Sequence, residues 1–170
     1  IRIIFREIYQ RGLLWYYPDV CKSGLIMGVL KYCRKYQVYL TAVQCYDQNT
    51  YYAGVQGNGV SIIKSTDSGI NWFVLASNIY TYGIHTKAIQ FIDQSNGYLL
   101  SVNALFKTSD GGQNWSDPIS VGGLQEATDM HFFNKDTGLV AGGDFLFTGN
   151  ALIRTTNGGQ NWQPLISNIN

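Results

Sequence analysis

Three nine-residue segments of this chain align without gaps, and this repetition constrains the fold more than any other feature of the sequence. The segments are KSTDSGINW (Lys64–Trp72), KTSDGGQNW (Lys107–Trp115) and RTTNGGQNW (Arg154–Trp162), and their tryptophans lie 43 and 47 residues apart. A second element precedes each segment: QCYDQNTYY from Gln44, QFIDQSNGY from Gln90 and HFFNKDTGL from His131. Two signatures that share one period indicate tandem structural repeats.

Each repeat has the pattern of four short strands. In the third repeat we predict strands at 128–133, 138–141, 151–155 and 161–166, separated by segments rich in turn-forming residues. No 3.6-residue apolar spacing follows residue 40, which excludes a helical solenoid. Four strands in a period of about 40–50 residues are typical of a propeller blade. We therefore predict an all-β, β-propeller-like protein, a partial propeller with about three four-stranded blades at 41–76, 87–119 and 127–168.

The chemistry of the repeated turn explains its composition. An Asp or Asn side chain can accept hydrogen bonds from backbone N–H groups just ahead of it and hold a tight turn closed. A glycine two residues later supplies a positive φ, and the tryptophan buries a large ring against its own blade. The structural turn residues are therefore predicted to be Asp67, Gly69, Trp72, Asp110, Gly112, Trp115, Asn157, Gly159 and Trp162.

These segments resemble the Asp box, or BNR repeat, with its pattern Ser/Thr-x-Asp-x-Gly-x-Thr/Asn-Trp. The longer unit is most similar to Ycf48-like photosystem II assembly factors and to sortilin-type propellers. The resemblance covers residues 41–170 and implies a propeller fold. It leaves function open, because Asp boxes occur in sialidases, xyloglucanases, receptors and assembly factors. The third box departs from the pattern with Asn157, and the first has Ser68-Gly69 where the others have Gly-Gly.

Residues 1–40 form an atypical N-terminal segment. They hold seven of the twelve Lys and Arg residues but only two acids, whereas residues 41–170 hold five basic residues and nine acids. A preceding blade would place a box tryptophan near residue 27. Met27-Gly28 must be encoded ATG-GGN, which contains the Trp codon TGG one base later. Two interpretations remain open: an out-of-frame reading of another blade at about 12–30, or a natural extension with a basic amphipathic helix over Ile1–Trp15.

Several classes of partner and cofactor are not expected. The net charge of +1 gives no reason to expect nucleic acid, and the longest early apolar run, Gly24–Leu30, is too short to span a bilayer. The three cysteines show no metal-ligand spacing, and their odd number cannot pair fully within the chain. We predict no metal and no cofactor.

The residues give little support to catalysis. Sialidase-type enzymes bind a carboxylate with three arginines, but Arg154 is the one arginine after residue 40 and occupies the repeat position of Lys64 and Lys107. Arg154 is therefore interpreted as an exposed strand residue. Glycosidases need two opposed carboxylates, and nothing pairs the remaining acids, Glu126, Asp129 and Asp144. His131 is interpreted as an ordinary strand residue and Cys45 as a buried core residue.

A binding surface is expected on the propeller face opposite the boxes, where the links between blades and the loops between second and third strands lie. Exposed loop aromatics are good binding candidates, although packing against neighbouring blades is equally compatible with the sequence. The candidate binding residues are Tyr80, Tyr82, His85, Glu126, Asp144, Phe145 and Phe147.

We therefore predict a non-catalytic module for protein or glycan binding, or for assembly, within a larger exported bacterial protein that is extracellular or periplasmic. Three blades leave open edges that favour self-association or closure with further blades. The alternatives are a fragment of an Asp-box glycoside hydrolase, sialidase- or xyloglucanase-like, that lacks its catalytic blades, and a purely structural repeat.

Overall fold

Short extended segments joined by tight turns make up the described part of the molecule. The structure is a computed structural model that describes residues 39–56, 60–76, 79, 86–122, 124–143 and 152–166. These ranges contain twelve strands and no helix, and therefore no helix that could cross a bilayer. The predicted atypical segment before residue 39 lies outside the described residues.

The strands form three antiparallel sheets of four, and in each sheet the strands pair in chain order. The first blade contains β1 (Tyr39–Cys45), β2 (Tyr51–Gln56), β3 (Val60–Ser65) and β4 (Phe73–Ala76). The second contains β5 (Ala88–Phe91), β6 (Gly97–Leu100), β7 (Ala104–Thr108) and β8 (Ile119–Ser120). The third contains β9 (Glu126–Phe132), β10 (Gly138–Gly143), β11 (Leu152–Thr155) and β12 (Gln163–Ile166). The predicted all-β architecture of three four-stranded units is confirmed.

A β-bulge interrupts the strand pairing near the beginning of β1 and of β9. The register between β1 and β2 shifts between Leu40 and Ala42, and that between β9 and β10 shifts between Ala141 and Gly142. At each bulge a threonine hydroxyl donates to a carbonyl on the second strand, Thr41 to Gly54 at 3.0 Å and Thr128 to Ala141 at 3.2 Å. These side-chain bonds hold the extra residue in place where the ladder is interrupted.

Aromatic stacking joins consecutive blades. The Tyr52 ring of the first blade stacks on Phe91 of the second with centroids 3.9 Å apart, and Tyr98 stacks on Phe132 of the third at 3.7 Å. All four rings are buried, and each pair belongs to an apolar cluster that includes residues of both adjoining blades. Burial of rings of this size contributes about 1.5–3 kcal/mol each to folding. The blades are thus held together by one repeated apolar contact.

A glutamine on the first strand of each of the first two blades makes two hydrogen bonds to the next blade beside the stacked rings. We call this pair of bonds the glutamine clamp. The Gln44 Nε2 donates to the carbonyl of Phe91 at 2.8 Å, and the Phe91 N–H donates back to Gln44 Oε1 at 2.6 Å. Gln90 makes the same pair of bonds with Phe132, at 2.9 and 2.7 Å. The side-chain amide therefore pairs with the backbone of the first strand of the next blade, as a peptide group of a neighbouring strand would. The repeat alignment locates this position, but its role depends on the neighbouring blade.

Removal of the second clamp should destabilise the protein. Gln90→Ala leaves the Phe132 N–H and carbonyl without their partners at a partly buried site, so we expect a loss of about 1–3 kcal/mol in the free energy of unfolding. His131→Ala is the matched control, since His131 occupies the same repeat position but is exposed, and we expect it to change stability by less than about 0.5 kcal/mol. Urea unfolding of both variants measures the difference, and equal losses would contradict the clamp.

In each blade one pair of facing residues on the first and second strands consists of a bulky and a small side chain. Phe91 and Phe132 pair with Gly97 and Gly138, and a Cβ on either glycine would overlap the phenylalanine ring. In the first blade the same pair of positions carries Cys45 and Tyr51, so the large residue has moved to the second strand. The interpretation of Cys45 as a buried core residue is wrong, because Cys45 is exposed and disulfide-bonded.

Candidate functional site

The two ends of each blade carry different groups. The turns between first and second strands and between third and fourth strands lie at one end, which we call the box end. Backbone bonds tie these two turns together in every blade, from Ser68 to Asn49, from Gly111 to Ser95 and from Gly158 to Asp136. The described residues of the links between blades, including Lys87, and of the loop between β6 and β7 lie at the opposite end, which we call the link end.

The turn at residues 65–72, the first box turn, is held by its acidic side chain. Asp67 Oδ1 accepts from the Ser65 hydroxyl at 2.8 Å and from the Asn71 N–H at 2.9 Å, while Oδ2 accepts from the Asn71 amide at 2.7 Å. The Ser65 hydroxyl in turn accepts from the Gly69 N–H at 2.9 Å, and the Trp72 Nε1–H donates to the Gly69 carbonyl at 3.0 Å. Both carboxylate oxygens are therefore used within the turn.

The box turns at 108–115 and 155–162 repeat this arrangement. Asp110 accepts from the Asn114 N–H at 3.0 Å, and Asn157 accepts from the Asn161 N–H at 2.9 Å. The final glycines all have positive φ: 84° at Gly69, 93° at Gly112 and 88° at Gly159. The preceding position also has positive φ, and in the first box turn the non-glycine Ser68 occupies it at 59°.

The turn bonds also control ionisation of the box acids. The backbone N–H of Asn114, its side-chain amide and the Thr108 hydroxyl stabilise the charged form and lower the pKa of Asp110 from 3.8 to about 2. The pKa of Asp67 is lowered in the same way, chiefly by the Asn71 N–H. Asp47 and Asp93, in the turns between first and second strands, have lowered pKa values because backbone N–H groups donate to them. These carboxylates are turn acceptors that stay charged in mild acid.

Acid should weaken the fold through these groups. Each has a folded-state pKa below its unfolded value, so its contribution is present above about pH 4 and is lost as pH falls toward the folded-state pKa, about 2 for Asp110. Asp110→Asn keeps a turn acceptor but cannot titrate, so we expect urea midpoints to fall less steeply between pH 5 and 2 than in the parent chain. The reciprocal Asn157→Asp should steepen the same curve. Parallel curves for all three proteins would exclude this linkage.

The third box turn differs from the second at its tryptophan. Trp162 Nε1 is buried and has no hydrogen-bond partner among the described residues, whereas its counterpart Trp115 donates to the Gly112 carbonyl at 3.0 Å. The sequence shows only the replacement of Asp by Asn157 in this turn and gives no signal for the difference at the tryptophan.

The lysine at the start of the second box turn also joins two blades. Lys107 Nζ donates to the Gly158 carbonyl of the third blade at 2.8 Å, and Lys107 is only partly exposed. Tyr98 crosses the same boundary, with its hydroxyl donating to the Lys135 carbonyl at 2.8 Å. Arg154, at the same repeat position, is exposed as predicted, so Lys107 differs from it by its contact with the next blade.

An ion pair marks the link end at the boundary between the second and third blades. Lys87 Nζ lies 2.9 Å from Glu126 Oε1, and the two side chains are 27% and 40% exposed. Glu126 is the first residue of β9, and Lys87 directly precedes β5. Lys87 was not predicted as a site residue. The other predicted binding residues, Tyr80, Tyr82, His85, Asp144, Phe145 and Phe147, lie outside the described residues.

Comparison with solved structures shows which fold these blades belong to. "YCF48 bound to D1 peptide" matches with a TM-score of 0.60 and 18% identity over 75% of this chain and 41% of that chain. Ycf48 from Cyanidioschyzon merolae matches with a TM-score of 0.56 and 16% identity over 75% of this chain and 37% of its own. The Niastella koreensis GH74 enzyme matches with a TM-score of 0.56 and 16% identity over 74% of this chain and 22% of its own. This chain is a partial β-propeller.

The same comparisons establish the fold and not the activity. The chain spans 41%, 37% and 22% of the length of these three propellers, and its identity to them is 16–18%, which shows the fold alone. The sequence matches no protein-family model and no curated protein.

Proposed function

We propose that this chain is a non-catalytic propeller module that binds a segment of another protein at its link end. The observation that carries the proposal is the half-exposed Lys87–Glu126 pair, which two different blades present at this end. Opposite charges fixed at a known spacing can orient a peptide and accelerate its association. The likeness to a Ycf48 structure described with a bound D1 peptide gives independent support for a protein ligand.

The chemistry of the box acids supports a non-catalytic role. A glycosidase needs two carboxyl groups that face each other across the substrate. The Asp67 and Asp110 carboxylates instead hold their own turns, with both oxygens accepting hydrogen bonds. Glu126 bonds to Lys87 at 2.9 Å. In this proposal the acids stabilise turns and orient a ligand.

Fluorescence anisotropy with a labelled D1 peptide tests the proposal. The double variant Lys87→Glu with Glu126→Lys keeps an ion pair between the blades but reverses both charges, and we expect it to weaken binding at least about tenfold, or roughly 1.4 kcal/mol. Lys135→Ala at the box end is the control and should leave binding unchanged. Absence of binding to the parent chain, or equal binding by the charge-reversed variant, would exclude peptide binding at this end.

A second candidate, a fragment of an Asp-box glycoside hydrolase, is favoured by the structural likeness to GH74 enzymes. It makes a separate prediction. Release of reducing sugar from xyloglucan by the chain would support this alternative and contradict the non-catalytic proposal. Binding of xyloglucan oligosaccharides without hydrolysis would instead identify a glycan as the ligand.

We also propose that the protein belongs to an exported, oxidising environment. The disulfide at Cys45 supports this placement, because disulfides persist mainly in such compartments. The chain has three cysteines, so an intrachain disulfide leaves one free thiol. Mass spectrometry of native purified protein should therefore show one alkylated cysteine before reduction and three afterwards. Three alkylated cysteines before reduction would argue against export.

A further inference from the structure

Each blade ends in an outer strand, and the three outer strands differ in how their free edge is protected. Among the described residues, β4, β8 and β12 each pair with one strand only, the third strand of their own blade. Such an edge presents backbone groups that another strand could pair with, and proteins commonly block it with a proline or a charge. The segments that follow the three box-turn tryptophans can be compared position by position through the repeat alignment.

The second residue after each tryptophan directs its backbone groups away from the blade. In the second blade, Ser116 donates its N–H to the Lys107 carbonyl of the third strand at 2.8 Å. Successive residues of an antiparallel strand direct their backbone groups to alternate sides, so those of the next residue, Asp117, face outward. The repeat alignment places Val74 of the first blade and Pro164 of the third at this same position.

The second and third blades block the edge at this outward position, whereas the first blade does not. Asp117 supplies an exposed charge, and the exposed Pro164 has no N–H to donate. Val74 is neither charged nor a proline, and it is 51% exposed. The pairing of β3 with β4 and that of β11 with β12 shift register at equivalent positions, so these two edges differ mainly in their side chains.

Apolar side chains surround the unblocked edge of the first blade. Ile70 in the box turn is 68% exposed, and Phe73 at the start of β4 is 47% exposed. We call Ile70, Phe73 and Val74, together with the free side of β4, the β4 edge. Exposed apolar residues that cluster in this way mark an interaction surface. The equivalent residues of the other two blades are polar at the first two positions: Gln113 and Gln160 for Ile70, and Ser116 and Gln163 for Phe73.

We propose that two copies of this chain associate by antiparallel pairing of their β4 edges. A second copy supplies what the edge requires, because it brings an extended strand with outward-facing backbone groups and exposed apolar side chains. Residues 68–86 contain no Asp, Glu, Lys or Arg, so the paired strands do not place like charges opposite each other. The contact uses the same surface on both copies and is closed by one two-fold axis.

The antiparallel orientation also separates the nearest charged groups. Lys64 of β3 faces Phe73, and Asp67 lies in the adjoining turn, so both charges are at the box end of β4. This strand has four residues, which span about 13 Å. Antiparallel pairing places the box ends of the two copies at opposite ends of the pair, whereas parallel pairing would bring the two Lys64 side chains together. Strands this short bury less area than a stable dimer needs, so the association is weak.

Sedimentation velocity over a concentration series tests the proposal. For the parent chain we expect the weight-average sedimentation coefficient to rise between about 10 μM and 1 mM, as it does for a dimer with a Kd of about 0.1 mM. Val74→Asp and Val74→Pro introduce residues that the other blades carry at this position, and each should weaken association at least about tenfold. Phe133→Asp is the control, since it removes a 61% exposed apolar side chain of the third blade and should leave association unchanged.

Pairing of the backbone has its own readout. Amide hydrogen exchange at Val74 should slow as the protein concentration rises, because its outward N–H becomes bonded to the second copy. Exchange at Phe73 should stay constant over the same series, because its N–H faces β3. Far-UV circular dichroism of each variant verifies that the blades remain folded.

Three results would overturn the proposal. The first is a sedimentation coefficient that stays constant up to about 1 mM. The second is association that Phe133→Asp abolishes and Val74→Asp leaves intact, since the copies would then meet at the third blade. The third is a monomeric parent chain whose affinity for the labelled D1 peptide falls with Val74→Pro, since the edge would then bind a strand of another protein. The charge-reversed variant, Lys87→Glu with Glu126→Lys, should self-associate like the parent chain, which separates this proposal from peptide binding at the link end.

Discussion

Phe132→Ala is expected to lower the free energy of unfolding by about 3–5 kcal/mol. Phe132 is 2% exposed, stacks on Tyr98 and lies edge-on to Trp162 with centroids 6.4 Å apart. Truncation leaves a cavity at the boundary between two blades, because Gly138 beneath the ring has no side chain to fill the space. A loss of this size is a large fraction of the stability of an ordinary domain.

Phe133→Ala is the matched control for this substitution. It removes the same ring one residue further along the chain, where the side chain is 61% exposed, so we expect a change of less than about 0.5 kcal/mol. Chemical denaturation with a tryptophan fluorescence readout measures both variants, because Trp162 lies beside Phe132. A similar loss from both substitutions would show that the stacked pair does not join the blades.

Gly142→Ala is expected to lower the free energy of unfolding by about 3 kcal/mol, at the upper end for an overpacked site. Gly142 lies at the bulge between β10 and β9. A Cβ there would overlap the carbonyl oxygen of Glu126 and lie 2.9 Å from the Cα of Ala127. Both obstacles are backbone, so the two strands must separate. The substitution should also displace Glu126 and so weaken the peptide binding that we propose at the link end.

The neighbouring Gly143 supplies the control. A Cβ on Gly143 has no atom of the described residues within 4 Å, so Gly143→Ala should be neutral or stabilising by up to about 1 kcal/mol. Thermal and urea unfolding of the pair isolate the steric effect from the general effect of replacing glycine. If Gly143→Ala were as harmful as Gly142→Ala, the close approach of backbone at the bulge would not be its cause.

We propose that the box end has a structural role and that the link end has a binding role. At the box end, turn acceptors with lowered pKa values hold the strand connections closed. At the link end, the Lys87–Glu126 pair bridges two blades and remains half-exposed. A ligand that contacts this pair would be bound by two blades at once, so binding there should also stabilise the packing between those blades.

The binding candidates show where sequence reasoning reaches its limit. Glu126 was predicted because it follows a link between blades, and the structure places it at the link end. Lys87 was missed because a lone lysine before a strand gives no signal until the next blade brings a carboxylate to 2.9 Å. The candidate aromatics of the links and loops remain predictions, since they lie outside the described residues.

The hydrogen-bonded turns could be predicted from the sequence alone. The hydrogen bonds of a box turn join residues no more than four apart, as between Asp67 and Asn71, so the pattern of Asp, Gly, Asn and Trp determined the turn and its period determined the blades. Contacts between blades join residues that are far apart in the sequence, such as Gln44 and Phe91, which are 47 positions apart. Three features depend on how the sheets stack: the paired hydrogen bonds of the glutamines, the placement of the bulky Tyr51 opposite Cys45, and the bond from Lys107 to Gly158. Tertiary structure alone decided them, because a side chain acquires such a role only when packing brings its distant partner within bonding distance.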